Sequence, residues 1–187
     1  MGKVKDKLID WKNRLKDRHM LSIIVVLVTI LIILGLYTYK KQRDFRQASE
    51  NSYNMAFFEL VDYVQNVATY LAKSLISSSA VQGAESLTNV WREANLAGAY
   101  LAQLPIDSNE LEKTSKFLNQ VSDYSYSLSR KNIKGEKISE DDMNNLESLH
   151  KYSVELENTL NQLSMDLNEG KIKWGELNKK GSAVFAT

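Results

Sequence analysis

Hydrophobic and polar positions follow two patterns along this chain: one unbroken apolar run, and helical periodicity on either side of it. The run is Leu21 to Tyr37, LSIIVVLVTILIILGLY, with thirteen Leu, Ile or Val and no charge. Taken from 20 to 39 it has 20 residues, and at about 1.5 Å per helical residue that is roughly 30 Å, the thickness of a bilayer's hydrocarbon core. A soluble core helix shows a polar face, whereas here only Ser22, Thr29 and Gly35 interrupt the apolar surface. Each central Leu, Ile or Val favours insertion by roughly 0.3 to 0.6 kcal/mol, so the pattern predicts a transmembrane anchor. A cleaved signal peptide is the rival reading. Against it stand a run longer than the usual ~7 to 15 residues, no small-x-small cleavage pattern, and an exit through Tyr37, Tyr39, Lys40 and Lys41. Those aromatic and basic residues fit the interfacial anchors of a retained helix.

Before the run, Val4, Leu8, Trp11 and Leu15 recur at steps of four, three and four among seven Lys/Arg. Residues 1–19 therefore read as a basic amphipathic cytoplasmic tail. Two explanations stand side by side: a helix lying on an anionic leaflet with Trp11 in the membrane interface, or an ordinary positive-inside flank. Four basic residues (Lys40, Lys41, Arg43, Arg46) follow the span against seven before it, which predicts a cytoplasmic N-terminus and an external remainder.

After the run there is neither glycine nor proline from Leu36 to Gln82, so one helix is expected to leave the membrane as a stalk over 40–52 and continue. Tyr53, Phe57, Leu60, Val64, Val67 and Leu71 mark one apolar face, with a break at Ser77–Ser79 and Gly83. A second helix is expected from about Ala84 to Leu104, with Leu87, Val90, Trp91, Ala94, Leu101 and Leu104 inward and Pro105 ending it. The third opens on Asn109, three before Glu112, and buries Leu111, Leu118, Val121, Tyr124 and Leu128 until Lys134 and Gly135. In the fourth, Ser139 caps a first turn of Glu140, Asp141 and Asp142. Leu146, Leu149, Ser153, Leu156, Leu160, Leu163 and Leu167 line its seam, and Gly170 fits the C′ position. Short connections make consecutive helices antiparallel, so the expected fold is all-α: a transmembrane helix followed, over 53–170, by an up-down four-helix bundle of coiled-coil-like seams. Residues 171–187, with no core of their own, read as a junction or tail emerging near the bilayer.

Composition narrows the function more by exclusion than by signal. Residues 1–19 hold seven of the 24 Lys/Arg and three of the 23 Asp/Glu, so the rest carries a net −3 (17 − 20). That is no nucleic-acid signature. There is no cysteine, and the two histidines are His19 and His150, so neither a disulfide framework, a thiol nucleophile nor a paired-histidine site is expected outside the membrane. Glu147 and His150 form one Glu-x-x-His unit, of which di-iron bundles use two with two further glutamates. It flanks the seam and reads as a solvated edge. No phosphate loop, nucleophile elbow or zinc spacing occurs. Neither a catalytic site, a cofactor nor a metal is expected, and the reading is non-enzymatic. Tyr63, Tyr70 and Tyr126 lie off the main seams and are the candidate partner surface, because tyrosine joins large contact area to a polar tip. The plainer reading is that they widen the core.

Several stretches carry a family likeness: AFFELVDYVQNV from Ala56, SLISSS from Ser74, VWREAN from Val90, AQLPI from Ala102, TSKFLNQVSDYSYSLSRKN from Thr114 and KWGEL from Lys173. They resemble the N-terminal half of the YpeB family of spore germination proteins. The resemblance implies a non-enzymatic protein anchored in the spore inner membrane or facing the cortex. It also implies mutual dependence with SleB, the hydrolase that degrades cortex peptidoglycan on germination. The family continues into PepSY-type domains, which these residues do not include. Expected partners are therefore the cortex-lytic hydrolase and membrane lipid, not nucleic acid, with a homo-oligomer left open. An extracytoplasmic helical-bundle sensor or scaffold is the alternative that the physical pattern alone favours equally.

Overall fold

The computed structural model describes residues 2–180. Among them are five helices and no strand: α1 (Gly2–Leu75), α2 (Ala80–Leu101), α3 (Ser108–Ile133), α4 (Glu140–Asn168) and α5 (Trp174–Lys180). The chain divides into two compact units, with the boundary between Ser49 and Glu50 inside α1.

In the first unit, the large apolar residues from Leu21 to Tyr39 are all exposed. Two threonine hydroxyls on this stretch bond back to their own helix: Thr29 Oγ1 donates to the Val25 carbonyl at 2.7 Å, and Thr38 Oγ1 to the Leu34 and Gly35 carbonyls at 3.0 and 2.9 Å. Polar atoms satisfied within the helix are what an apolar surround requires.

The second unit has two groups of buried apolar side chains. The first takes Ala56, Phe57, Leu60, Val61 and Val64 from α1, and Ala97 and Leu101 from α2. Leu111 and Leu118 of α3, Leu156, Leu160 and Leu163 of α4, and Trp174 and Leu177 of α5 complete it, with Leu104 and Ile106 of the α2–α3 connection. The second takes Val67 and Leu71 of α1, Leu87, Val90 and Ala94 of α2, Val121 and Leu128 of α3, and Leu146 of α4. These are largely the faces that the apolar periodicity marks out.

Helix ends follow from local chemistry. Ser79 caps α2 through its side chain, which accepts from Gln82 N at 3.2 Å. At the start of α4, Ser139 accepts from Asp142 N at 3.1 Å while the Asp142 carboxylate accepts from Ser139 N at 3.2 Å, a complete capping box. At the other end of α4, Gly170 takes φ +70°, and Lys171 N and Gly170 N donate to Asp166 O and Leu167 O at 2.9 and 3.1 Å. This is a Schellman close, and Gly135 (φ +75°) closes α3 in the same way.

Four expectations are corrected. The break between the first two helices lies at Ile76–Ser79, and α2 starts at Ala80, so Gly83 is inside the helix. A Cβ there would stand 2.8 Å from Asn132 Nδ2 of α3, so a larger residue would require the Asn132 amide to shift. α2 ends at Leu101, short of Leu104: Gln103 N and Leu104 N turn to the carbonyls three residues back, at 3.0 and 3.2 Å, ahead of a proline that disfavours helical geometry in the residue before it. Asp107, not Asn109, caps α3, its side chain accepting from Asn109 N at 2.9 Å. Trp91 is 39% exposed, while Glu93, on the other flank of the apolar face, is buried. Residues 171–177 also depart from a free tail. Trp174 packs its ring edge-on to Phe57 and Tyr53 (centroids 5.7 and 6.1 Å) and donates from Nε1 to Asn54 Oδ1 at 2.7 Å.

Candidate functional site

The exposed apolar stretch is the first candidate. Its most apolar 18 residues have a mean hydropathy of 2.8, none of it buried. The helix is long and apolar enough to cross a membrane. Tyr37, Tyr39, Lys40 and Lys41 stand exposed where the stretch ends. Trp11 falls within α1, but its side chain lies outside the described residues.

Each of the three candidate tyrosines makes its own contact. Tyr63 of α1 is half-buried and stacks on Tyr100 of α2 with centroids 5.4 Å apart. Desolvation is the main cause that raises its pKa, with Tyr100, Glu59 and Glu93 adding in the same direction. Tyr70 carries Lys73 Nζ over its ring at 4.9 Å. Tyr126 of α3 is exposed and lies against Trp91 of α2, centroids 5.4 Å apart. Glu147 is exposed and His150 half-buried. Among the described residues no three His, Cys, Asp or Glu are grouped as metal ligands.

Sequence reasoning missed two buried carboxylates that tie helices together. Glu93 Oε1 accepts from Arg92 at 2.7 and 3.0 Å, and its Oε2 accepts from Asn66 of α1 at 3.2 Å. The pairing with Glu93 raises the Arg92 pKa. Asp142 is the hub of the second cluster. It accepts from Lys131 Nζ at 2.9 Å and from the Tyr124 hydroxyl at 2.8 Å, in addition to the capping bond from Ser139. Lys131, first, and then Ser139 and Tyr124 hold its carboxyl well below the usual carboxylate range, against the opposing push of burial. Tyr124 accepts in turn from Asn145 Nδ2 at 3.2 Å, and burial pushes its pKa up. The only hint in the sequence was the acidic first turn of α4. That signal accounts for the cap and says nothing of a lysine and a tyrosine on another helix.

Between α3 and α4 runs an open groove of about 560 Å³ with Tyr124, Leu149 and Tyr152 in its lining. A second hollow of about 230 Å³, lined in part by Phe117 and Leu156, shares Tyr152 with it.

An exposed helix of membrane-spanning length, together with a helical unit whose buried charges pair internally, defines an all-α protein with a candidate membrane anchor and open helix–helix grooves. Residues 41–176 match the family described as YpeB N-terminal, and the chain belongs to that family. It is 28% identical over 164 residues to sporulation protein YpeB of Halalkalibacterium halodurans, covering 86% of this chain and 37% of that protein. To sporulation protein YpeB of Bacillus subtilis it is 24% identical over 155 residues, covering 81% and 34%. For that of Oceanobacillus iheyensis the identity is 21% over 154 residues, covering 82% and 34%. The chain thus spans about a third of the length of the curated relatives it matches. No solved structure matches it.

Proposed function

We propose that this chain is the membrane-anchoring and partner-holding part of a sporulation protein that acts in germination by stabilising the cortex-lytic hydrolase SleB, with no hydrolytic activity of its own. Family membership is the observation that carries this reading. The exposed apolar helix fits an anchor with the N-terminus in the cytoplasm and the helical unit outside, at the spore inner membrane. Holding both proteins at one membrane raises their effective concentration, so a weak contact is occupied. Binding the folded hydrolase also draws it away from unfolded, protease-sensitive states.

The helical unit reads as an antiparallel up-down bundle. What supports this is the order in which the helices enter the two buried groups: α1 and α3 supply the first group and then the second, while α2 and α4 supply the second and then the first. Elongated faces of that kind suit a holding role. The buried Glu93 and Asp142 are occupied by structural partners, which favours binding over catalysis.

Spores lacking the gene are expected to lose most of the hydrolase protein while its transcript remains, read by immunoblot beside transcript quantification. Normal hydrolase abundance with cortex degraded at the usual rate overturns the stabiliser reading and leaves a sensor role. Orientation is tested separately with an export-dependent phosphatase fused after Thr187 in a vegetative host. Silence despite good expression refutes an external unit.

A further inference from the structure

We propose that the groove between α3 and α4 binds a neutral oligosaccharide, with Tyr124 and Tyr152 as platforms for sugar rings. The groove is open to solvent, encloses about 560 Å³ and is roomy enough for a short oligosaccharide segment. A second hollow beside Phe117 lies further along the same two helices and shares Tyr152 with it.

The chemistry of the lining selects the ligand class. Tyr124, Tyr152 and Leu149 offer apolar faces, which suit the C–H faces of pyranose rings. Around them stand the side-chain amides of Gln120 and Asn145 and two serine hydroxyls, groups that both donate and accept as sugar hydroxyls do. Asp123 is the single formal charge on the main groove. The adjoining hollow carries one charge of each sign, Lys113 and Glu155. A phosphate or polyanionic ligand therefore meets no cation cluster. An amphipathic helix from a protein partner requires a row of aliphatic contacts, and Leu149 is the one aliphatic residue here.

The Tyr124 ring is held in place before any ligand arrives, and the Tyr152 ring rests against one neighbour. The Tyr124 hydroxyl donates to Asp142 at 2.8 Å and accepts from Asn145 at 3.2 Å, so its ring is pinned at the polar end. Asn145 spends one N–H on this contact and is otherwise exposed, leaving its carbonyl oxygen and second N–H towards a ligand. Tyr152 is 59% exposed, and its ring meets the edge of Phe117 with centroids 6.3 Å apart. Pre-fixed aromatic platforms reduce the ordering cost of binding a flexible chain. The Asp142–Lys131 cluster behind Tyr124 then acts as the support of one wall. The inference rests on this groove alone and is independent of the hydrolase reading.

The test uses the full chain in detergent micelles, titrated calorimetrically with chitohexaose and, in parallel, with maltohexaose. Saturable binding of at least one of the two sugars is expected, weakened about tenfold by Tyr152→Ala, the size of one lost ring contact. Tyr126→Ala, which removes an exposed ring elsewhere, should leave it unchanged. Tyr152 is exposed enough for its alanine variant to fold, which circular dichroism checks, and Asn145→Ala gives a second variant with a milder expected loss. Maltohexaose binding at the same site shows that ring faces and hydroxyls suffice, and its absence adds the acetamido group to the requirement. No saturable binding of either sugar, binding indifferent to Tyr152→Ala, or tighter binding of an amphipathic leucine–lysine peptide lost in that variant would overturn the proposal.

Discussion

Replacing Asp142 by alanine removes the hub of the α3–α4 polar cluster, and its cost can be worked from the contacts. The carboxylate accepts from Ser139 N at 3.2 Å, a capping-box bond whose loss costs about 1 kcal/mol, whereas the 3.1 Å bond from Asp142 N to the Ser139 side chain survives the substitution. It also accepts the Tyr124 hydroxyl at 2.8 Å, a bond to a charged acceptor contributing about 1.5 kcal/mol. The pair with Lys131 adds little, because that ammonium stands largely in solvent and is screened. Asp142→Ala is therefore expected to destabilise the second unit by about 2 to 3 kcal/mol. Asp142→Asn, which keeps the shape and one acceptor, should cost about half as much. The pH dependence separates charge from shape. The folded carboxyl titrates far below its unfolded value of about 3.9. Its contribution is thus fully present above about pH 5 and fades as the pH falls below 4 towards the folded value. Urea unfolding of the full chain in detergent, followed by tryptophan fluorescence at pH 7 and pH 3, should show a gap between wild type and Asp142→Asn that narrows at the lower pH. An equal gap at both pH values, or none at pH 7, refutes the argument.

Other perturbations test other parts of the architecture. Leu160→Ala, at a fully buried seam position, should cost about 2 to 5 kcal/mol, whereas Glu157→Ala should stay within about 0.5 kcal/mol; equal shifts in urea midpoint would show the seam misassigned. Trp174→Phe keeps the ring contacts but loses the bond to Asn54 and should cost about 1 kcal/mol, while Trp174→Ala should cost about 3 to 5. If both leave the melting curve unchanged, α5 does not belong to the core. Ile30→Arg places a charge mid-span at a cost of about 2.5 to 3.5 kcal/mol of insertion and should move protein from the membrane pellet to the soluble fraction. Unchanged alkaline-resistant membrane association would argue that this stretch is not the anchor.

Local pattern alone determined most of the elements. The apolar run was legible because insertion depends on length and composition, with no partner needed. Leucine spacing identified α4's buried face, and Ser139 and Gly170 marked its ends, because caps and positive-φ positions are settled within a few residues. What escaped was set by neighbours distant in sequence. Gly83 reads as a breaker in isolation, yet sits inside α2, close against the side-chain amide of Asn132 on α3. Trp91 was expected inward and stands at the surface because burial at the rim of a helix face depends on the neighbouring helix: Tyr126 of α3 gives it a surface partner, while Asn66 of α1 helps satisfy a buried Glu93 on the other flank. Trp174 found its place 120 residues back at Asn54. Periodicity records which way a side chain faces on its own helix. Which group stands opposite depends on how the helices are brought together, and a capped, amphipathic helix is compatible with many such arrangements.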